Sequence, residues 1–312
     1  MKNHLKSIAL LFFLAVTIVF SVPFAHAVDR VNMVFIGDRV VDAAYHLGVV
    51  SDLVVVECDN PNLEKLRSLQ VRKLSCPGKF SLKRDAMVEA ILKQGVTRVI
   101  CDKEPKSCST GPKISQDQPF VPEHKDLKVE YIDFSEGLEP AIRNLAKSLN
   151  KEAEGEKLIE RYNQEAAVVE KNIPKEKIGK KVLVLNGVYQ PATGKTFVQM
   201  ESKGGYGEMF FLDRLGCENV TSTLGIAQTG NKPYVTVRNL KSLKGTQVDL
   251  IVSTGDTYAV QKFLYDQLKQ DPGLAGMPAL KNMAVFSLPI YNGGSPLEYP
   301  ENLNRWLAAL TN

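Results

Sequence analysis

LAKSLNKEAEGEKLIERYNQEAAVVEKNIP, residues 145–174, decides how the rest of the chain is read. It holds no Gly-rich break, no β-branched run and no catalytic motif, yet both of its flanks alternate short apolar strands with helices. Leu138, Ile142, Leu145 and Leu149 form one apolar stripe, and Ile159, Tyr162, Ala166, Val169 and Ile173 form a second at steps of three and four. The stripes do not join cleanly across 150–156. The spacing therefore predicts a helix over 139–149, a break near Asn150, and a longer helix over 152–172 that Pro174 stops. At ~1.5 Å per residue the longer helix covers about 30 Å, the width of a small domain. A helix laid over one sheet carries the same pattern, but this length, between two similar halves, favours a strut joining two lobes.

The flanks support that reading. Upstream, VNMVFI (31–36) is a buried strand ended by Gly37, and a helix over 39–47 stops at Gly48. Strands over 53–57, 71–74, 97–101 and 128–134 follow, with helices over 61–69 and 82–94, the latter capped by Ser81. Downstream the scheme restarts. KVLVLN (181–186) ends at Gly187, a helix over 207–215 ends at Gly216, and strands at 248–253 and 283–288 alternate with helices over 257–269 and 300–310. Strands alternating with helices of this length imply parallel pairing. The expected fold is α/β: two Rossmann-like lobes with mostly parallel sheets, 28–150 and 174–312, joined by a single long α-helix over 151–173.

The first 27 residues read as an export signal. Lys2 and Lys6 precede a continuous apolar run, Ser7–Phe20, and Ala25-His26-Ala27 gives an A-x-A cleavage pattern after Ala27. A retained anchor is the alternative, but the run is short for a bilayer. No Cys stands where a lipoprotein needs one, so the mature chain is expected to be soluble and periplasmic. The net charge falls from +4 to +2 when the two lysines leave, which argues against nucleic acid and against membrane-surface binding. Five cysteines remain, Cys58, Cys76, Cys101, Cys108 and Cys217, so an oxidising compartment leaves at least one unpaired. Cys101 and Cys108 flank a Pro-containing loop and are the candidate disulfide.

An exported α/β chain with two lobes and one joining helix resembles the helical-backbone class of periplasmic substrate-binding proteins, which serve ABC importers of cobalamin, haem, ferric siderophores and, in one branch, molybdate or tungstate. The resemblance covers about Val31 to Leu310 and is carried by VNMVFIGDRVVDAAYHLGVVSDLVVVE, EAILKQGVTRVI, FFLDRLGCENV, VDLIVST and ALKNMAVFSLP. It implies an inner-membrane ABC permease as partner, a small metal-containing ligand, a monomer, no catalysis and no resident cofactor. It also implies an acidic residue on the outer tip of each lobe that pairs with the permease. Glu89 fills that role in the first lobe. The comparable stretch of the second, TVRNLKSLKGTQVDLIV, has Arg238 or Lys241 where Glu is expected.

Ligands of open α/β sheets bind beyond the carboxyl ends of the strands. The first lobe's tips then offer Asp38, Arg39, Cys58, Asp59, Lys79 and Lys103. The second lobe's offer Tyr189, Gly205, Tyr206, Lys232, Tyr234, Asp256 and Tyr291. Arg39, Lys79, Lys103, Lys203 and Lys232 can surround an anion, and the four tyrosines can pack on a flat ligand. Gly204–Gly207 opens a helix, where free N–H groups suit an anion, but it lacks the Lys-Ser/Thr ending of a P-loop. The ligand is expected to be a ferric siderophore, haem or corrinoid, with a bare oxyanion such as molybdate as the alternative. Cys58, Cys76 and Cys101 each follow a strand, and a thiolate-lined cleft would suit an exported enzyme or metallochaperone instead. Disulfides and buried thiols are the plainer reading. His46, in AAYHLG, reads as a packed helix residue rather than a ligand, and neither G-x-S-x-G nor H-E-x-x-H occurs.

Overall fold

A computed structural model describes residues 28–57, 60, 63–106, 114, 118–190, 192–223 and 233–312. The expected leader, Cys58, Asp59, Cys108 and Lys232 lie outside the described residues. The first lobe runs β1 (Asp29–Ile36), α1 (Asp38–His46), β2 (Val49–Val55), α2 (Leu63–Ser68), β3 (Arg72–Ser75), α3 (Pro77–Leu82), α4 (Arg84–Leu92), β4 (Arg98–Asp102), β5 (Lys128–Ile132) and α5 (Leu138–Leu149). Its five strands are all parallel in the order β3-β2-β1-β4-β5. α6 (Glu152–Asn172) leads to the second lobe.

That lobe contains β6 (Lys181–Gln190), β7 (Lys195–Glu201), α7 (a π-helical turn Glu208–Leu212 continued by Asp213–Leu215), β8 (Glu218–Asn219), α8 (Val220–Thr223), β9 (Tyr234–Val237), β10 (Leu250–Gly255), α9 (Thr257–Gln270), α10 (Pro278–Lys281), β11 (Val285–Ser287) and α11 (Tyr299–Thr311). Its sheet is ordered β11-β10-β6-β7-β9, with β8 beside the start of β6.

Two differences from the expected pattern have local causes. The helix expected over 82–94 is two helices. Pro77 sets the first turn of α3, Ser81 lies inside it with its hydroxyl donating to Gly78 O, and Lys83 breaks the path at φ −138°. In the second lobe, Gly187 does not end its strand. β6 runs on to Gln190 and returns antiparallel as β7, which pairs antiparallel with β9, so this sheet is mixed where the first is wholly parallel. Gly187 is needed for close approach: a Cβ there would lie 1.9 Å from the carbonyl oxygen of Asp256.

The strut has the expected bounds. Asn150 caps α5 in the left-handed conformation, φ 56°, and makes the break before α6. Leu158 and Ile159 at the front of α6 lie in the first lobe's core with Ile142 and Leu145 of α5. Val169 at its far end lies in the second lobe's core with Phe211, Leu303 and Trp306. One helix is therefore anchored in both cores.

The front anchorage depends on Gly155. A Cβ there would lie 2.7 Å from Ala146 Cβ, with Ile142 and Leu47 behind it. Exchanging Gly for Ala in a helix interior normally stabilises by ~1 kcal/mol, whereas overpacking a closed contact costs about 1–3 kcal/mol. Overpacking wins for a larger side chain, so urea melts of Gly155→Val are expected to show a loss of about 1–3 kcal/mol. A stabilised variant would mean that α5 and α6 do not pack this closely.

Candidate functional site

The carboxyl ends of β1, β2 and β4 face the second lobe and are acidic. Asp38 opens α1 with its side chain buried, and its Oδ1 accepts the Glu57 backbone N–H at 2.9 Å. Glu57, also buried, accepts from Asn292 Nδ2 of the second lobe at 3.4 Å. Asp102 takes both arms of Arg39, at 2.8 Å each, and the same guanidinium reaches Glu104 O at 3.2 Å and covers the Phe134 ring at 4.7 Å. Asp102 is 1% exposed. Removing Arg39 would leave it a buried, unpaired carboxylate, a loss of about 3–5 kcal/mol. Arg39 is thus committed to its own lobe. Lys103 differs: it pairs with Asp133 at 2.5 Å on an exposed surface, a contact that contributes little and can be exchanged for a ligand.

The segment between β11 and α11 is where the second lobe enters the first. Asn292 and Ser295 are buried, and Leu297 sits in the first lobe's core. At Gly294, Asp38 Cβ lies 3.0 Å from where a Cβ would stand. The Ser295 hydroxyl and the Leu297 backbone N–H bond to Asp42 of α1, whose carboxyl is pushed well above its usual range by burial and then by Glu298. Burial, helped by Lys65 and Arg161, pulls His46 down to about 4. The sequence gives no sign of a role for Glu57, Asn292, Asp42 or Glu298, because nothing in it says that residues 292–298 dock on α1.

Three expected tyrosines do converge. Tyr206 lies 6.1 Å from Tyr234 and 6.4 Å from Phe210, and Phe210 meets Tyr291 edge-on at 4.9 Å. Phe211, Tyr299 and Trp306 back this wall. Tyr291 is itself buried, which raises its hydroxyl pKa. Tyr189 stands apart, 51% exposed, near the end of β6 opposite Thr196. Lys79 is exposed on α3, and Glu89 is exposed on α4.

Several expected roles are corrected. The glycine loop does not hold free N–H groups for an anion: Glu201 accepts from Gly207 and Glu208 at 2.8 Å each, Glu208 accepts from Gly204, and Gly205 donates to Ser202 O. A Cβ at Gly205 would strike Glu201 Cγ at 2.2 Å, so this glycine makes room for the carboxylate. Asp256 is the N-cap of α9, accepting from Ala259 N at 2.8 Å. Cys101 is a free, buried thiol that donates to Asp102 O, which corrects the expected bridge to Cys108; β4 turns its side chain into the apolar core beside Phe80 and Val99. Burial raises its pKa and keeps it protonated. Among the described residues no cysteine joins a group able to hold a metal ion.

The comparisons with known proteins fit this geometry. A family model described as periplasmic binding protein matches residues 113–291, more than half of the chain. The chain belongs to this family. No curated protein matches the sequence. Among solved structures this binding protein is similar to the periplasmic heme-binding protein RhuT from Roseiflexus sp. RS-1 in apo form, with 16% identity, a TM-score of 0.54, and coverage of 89% of this chain and 97% of that one. It is also similar to S. aureus IsdE complexed with heme (20% identity, TM-score 0.50, coverage 90% and 99%). A third is the triscatecholate siderophore binding protein FeuA from Bacillus subtilis complexed with ferri-bacillibactin (15% identity, TM-score 0.52, coverage 90% and 93%). At these identities the likeness establishes the fold of two lobes joined by a helix.

Glu201 gives the binding protein a pH signature. Burial raises its carboxyl from 4.5 to about 7, against the two N–H bonds that hold the charged form. The folded state therefore keeps the proton longer than the unfolded chain. Stability is expected to fall as pH rises from about 4.5 to about 7 and to level off above, a change on the order of 3 kcal/mol. In urea melts across this range, Glu201→Gln should lose that slope; an unchanged slope would assign it to another group.

Proposed function

We propose that this protein captures a metal chelate that presents aromatic or flat faces, a haem, a corrinoid or a catecholate ferric siderophore, between its lobes and delivers it to an ABC permease in the inner membrane. The observation that carries the reading is the aromatic wall of Tyr206, Phe210 and Tyr234, backed by buried Tyr291 and set where the second lobe meets the acidic strand ends of the first. Such a wall suits a planar or aromatic ligand. The alternative of a bare oxyanion loses support from the same residues. Arg39 is bound to Asp102, and the glycine loop's N–H groups are taken by carboxylates. Relatives of this fold whose names carry heme or siderophore ligands agree with the reading.

The protein acts by binding and release rather than catalysis, after export and removal of a leader ending at Ala27, and works as a monomer. The thiolate-lined enzyme or metallochaperone gains nothing, since Cys101 faces the core. Docking is asymmetric: the first lobe presents exposed Glu89, while Arg238 and Lys241 are exposed on the second. A permease serving this protein would then offer a basic contact to one lobe and an acidic one to the other.

Titration of the mature protein with hemin, cobalamin, ferric bacillibactin and molybdate, followed by visible absorption and tyrosine fluorescence, tests the ligand class. One of the three chelates is expected to bind with unit stoichiometry, and Tyr206→Ala to weaken it about tenfold, the equivalent of ~1.4 kcal/mol of lost ring contact. Binding of molybdate alone would overturn the assignment.

A further inference from the structure

The junction between the lobes holds a group of side chains that cargo capture does not use. Asp42 and His46 are four residues apart on α1, so they share one face, and His46 Nε2 lies 3.7 Å from Asp42 Oδ1. Glu298, from the turn before α11, comes to the same place from the other lobe. One ligand atom from each of the three lies within 4.8 Å of the other two. His46 Nε2 is buried and has no hydrogen-bond partner among the described residues, while Nδ1 lies 3.5 Å from Arg161 on α6. A cavity of about 10 Å³ adjoins Asp42, lined also by Asp38, Tyr45, Asn60 and Lys65.

We propose that Asp42, His46 and Glu298 form a divalent-cation site of the Zn²⁺ class that staples the two lobes together beside the strut. The donor set selects the ion. One imidazole nitrogen with two carboxylates suits Zn²⁺ or a neighbouring transition metal, whereas Mg²⁺ and Ca²⁺ take oxygen ligands alone. Around a tetrahedral ion with bonds of about 2.0–2.2 Å, donor atoms stand roughly 3.3–3.6 Å apart. His46 and Asp42, at 3.7 Å, nearly match this, and Glu298, part-exposed on a turn, can approach them by a side-chain rotation. Three protein ligands leave a fourth position for water.

Lys65 is the competitor. Its ammonium reaches Glu298 only at 4.0 Å and lies 3.8 Å over the Tyr45 ring, part-exposed, so an incoming cation can displace it without leaving a buried charge unpaired. Because the ligands come from both lobes, a bound ion restrains their separation. It ties the start of α11 to the helix whose first residue, Asp38, sits at the cleft.

The test uses the full mature protein, stripped with EDTA and exchanged into metal-free buffer, titrated with Zn²⁺ by calorimetry and followed by thermal unfolding. The expected result is one site whose occupation raises the melting temperature, with no effect of Mg²⁺. His46→Gln and Glu298→Gln should each weaken Zn²⁺ at least tenfold with unchanged near-ultraviolet circular dichroism. Lys65→Gln should tighten it several-fold, a gain that a misfolded variant cannot mimic. Absence of binding, Zn²⁺ binding that survives His46→Gln, or an affinity indifferent to Lys65→Gln would each overturn the proposal. Hemin affinity of the stripped protein reads the cleft separately, so failure of one does not decide the other.

Discussion

The placement of Leu297 in the first lobe's core is the contact on which the two-lobed arrangement depends. The chain passes between the lobes once, through α6, whose ends lie in the two cores. Leu297 adds a second tie away from that helix: it belongs to the second lobe by sequence and to the first by packing. Full burial of one Leu contributes about 1.5–3 kcal/mol, and the Ser295 and Leu297 bonds to buried Asp42 add direction to that contact. The Asn292 bond to Glu57 and the close approach of Gly294 to Asp38 follow from it, because they lie on the same short segment.

Charge at the lobe junction is organised to be internally satisfied. Two of the cationic tips are answered by carboxylates of the same lobe, Arg39 by Asp102 and Lys103 by Asp133, and the N–H groups of the glycine loop are taken by Glu201 and Glu208, while Lys79 stays exposed. The price of this arrangement is buried acid. Asp42 and Glu201 both have their carboxyl pKa raised, by burial first. Tyr206, Phe210 and Tyr234 stay part-exposed beside this paired charge, and they are the basis of the chelate proposed above.

The strut and the strand-helix alternation were legible because they rest on periodicity. The apolar stripes of α5 and α6 and the break at Asn150 reproduce the expected bounds within a residue. The β6–β7 return was not legible, because Gly187 carries the same letter whether it ends a strand or admits the Asp256 carbonyl. The convergence of Tyr206, Tyr234 and Tyr291 follows tyrosines expected at element tips, but Phe210, which joins Tyr206 to Tyr291, sits inside a helix and looks like core. The acidic members were missed for a deeper reason. His46 reads as a packed helix residue, and Asp42 carries no signal of its own, until Glu298, more than 250 positions later, is brought beside them by a segment whose sequence, YNGGSPLE, suggests only a loop.

A strut anchored in both cores has consequences for how the cleft selects its ligand. Leu158 and Ile159 at one end of α6 and Val169 at the other cannot be released without exposing core, so large rotations about the helix are costly. The width of the cleft is then set by the protein rather than by the ligand, and the ordering cost that a loosely hinged pair of lobes meets on closing is largely met on folding instead. Such a cleft discriminates by fit. A ligand thick enough to touch both the aromatic wall of the second lobe and the strand ends of the first gains both contacts at once, whereas a small ion gains only one. Rigidity and aromatic lining therefore favour the proposed chelate on separate physical grounds.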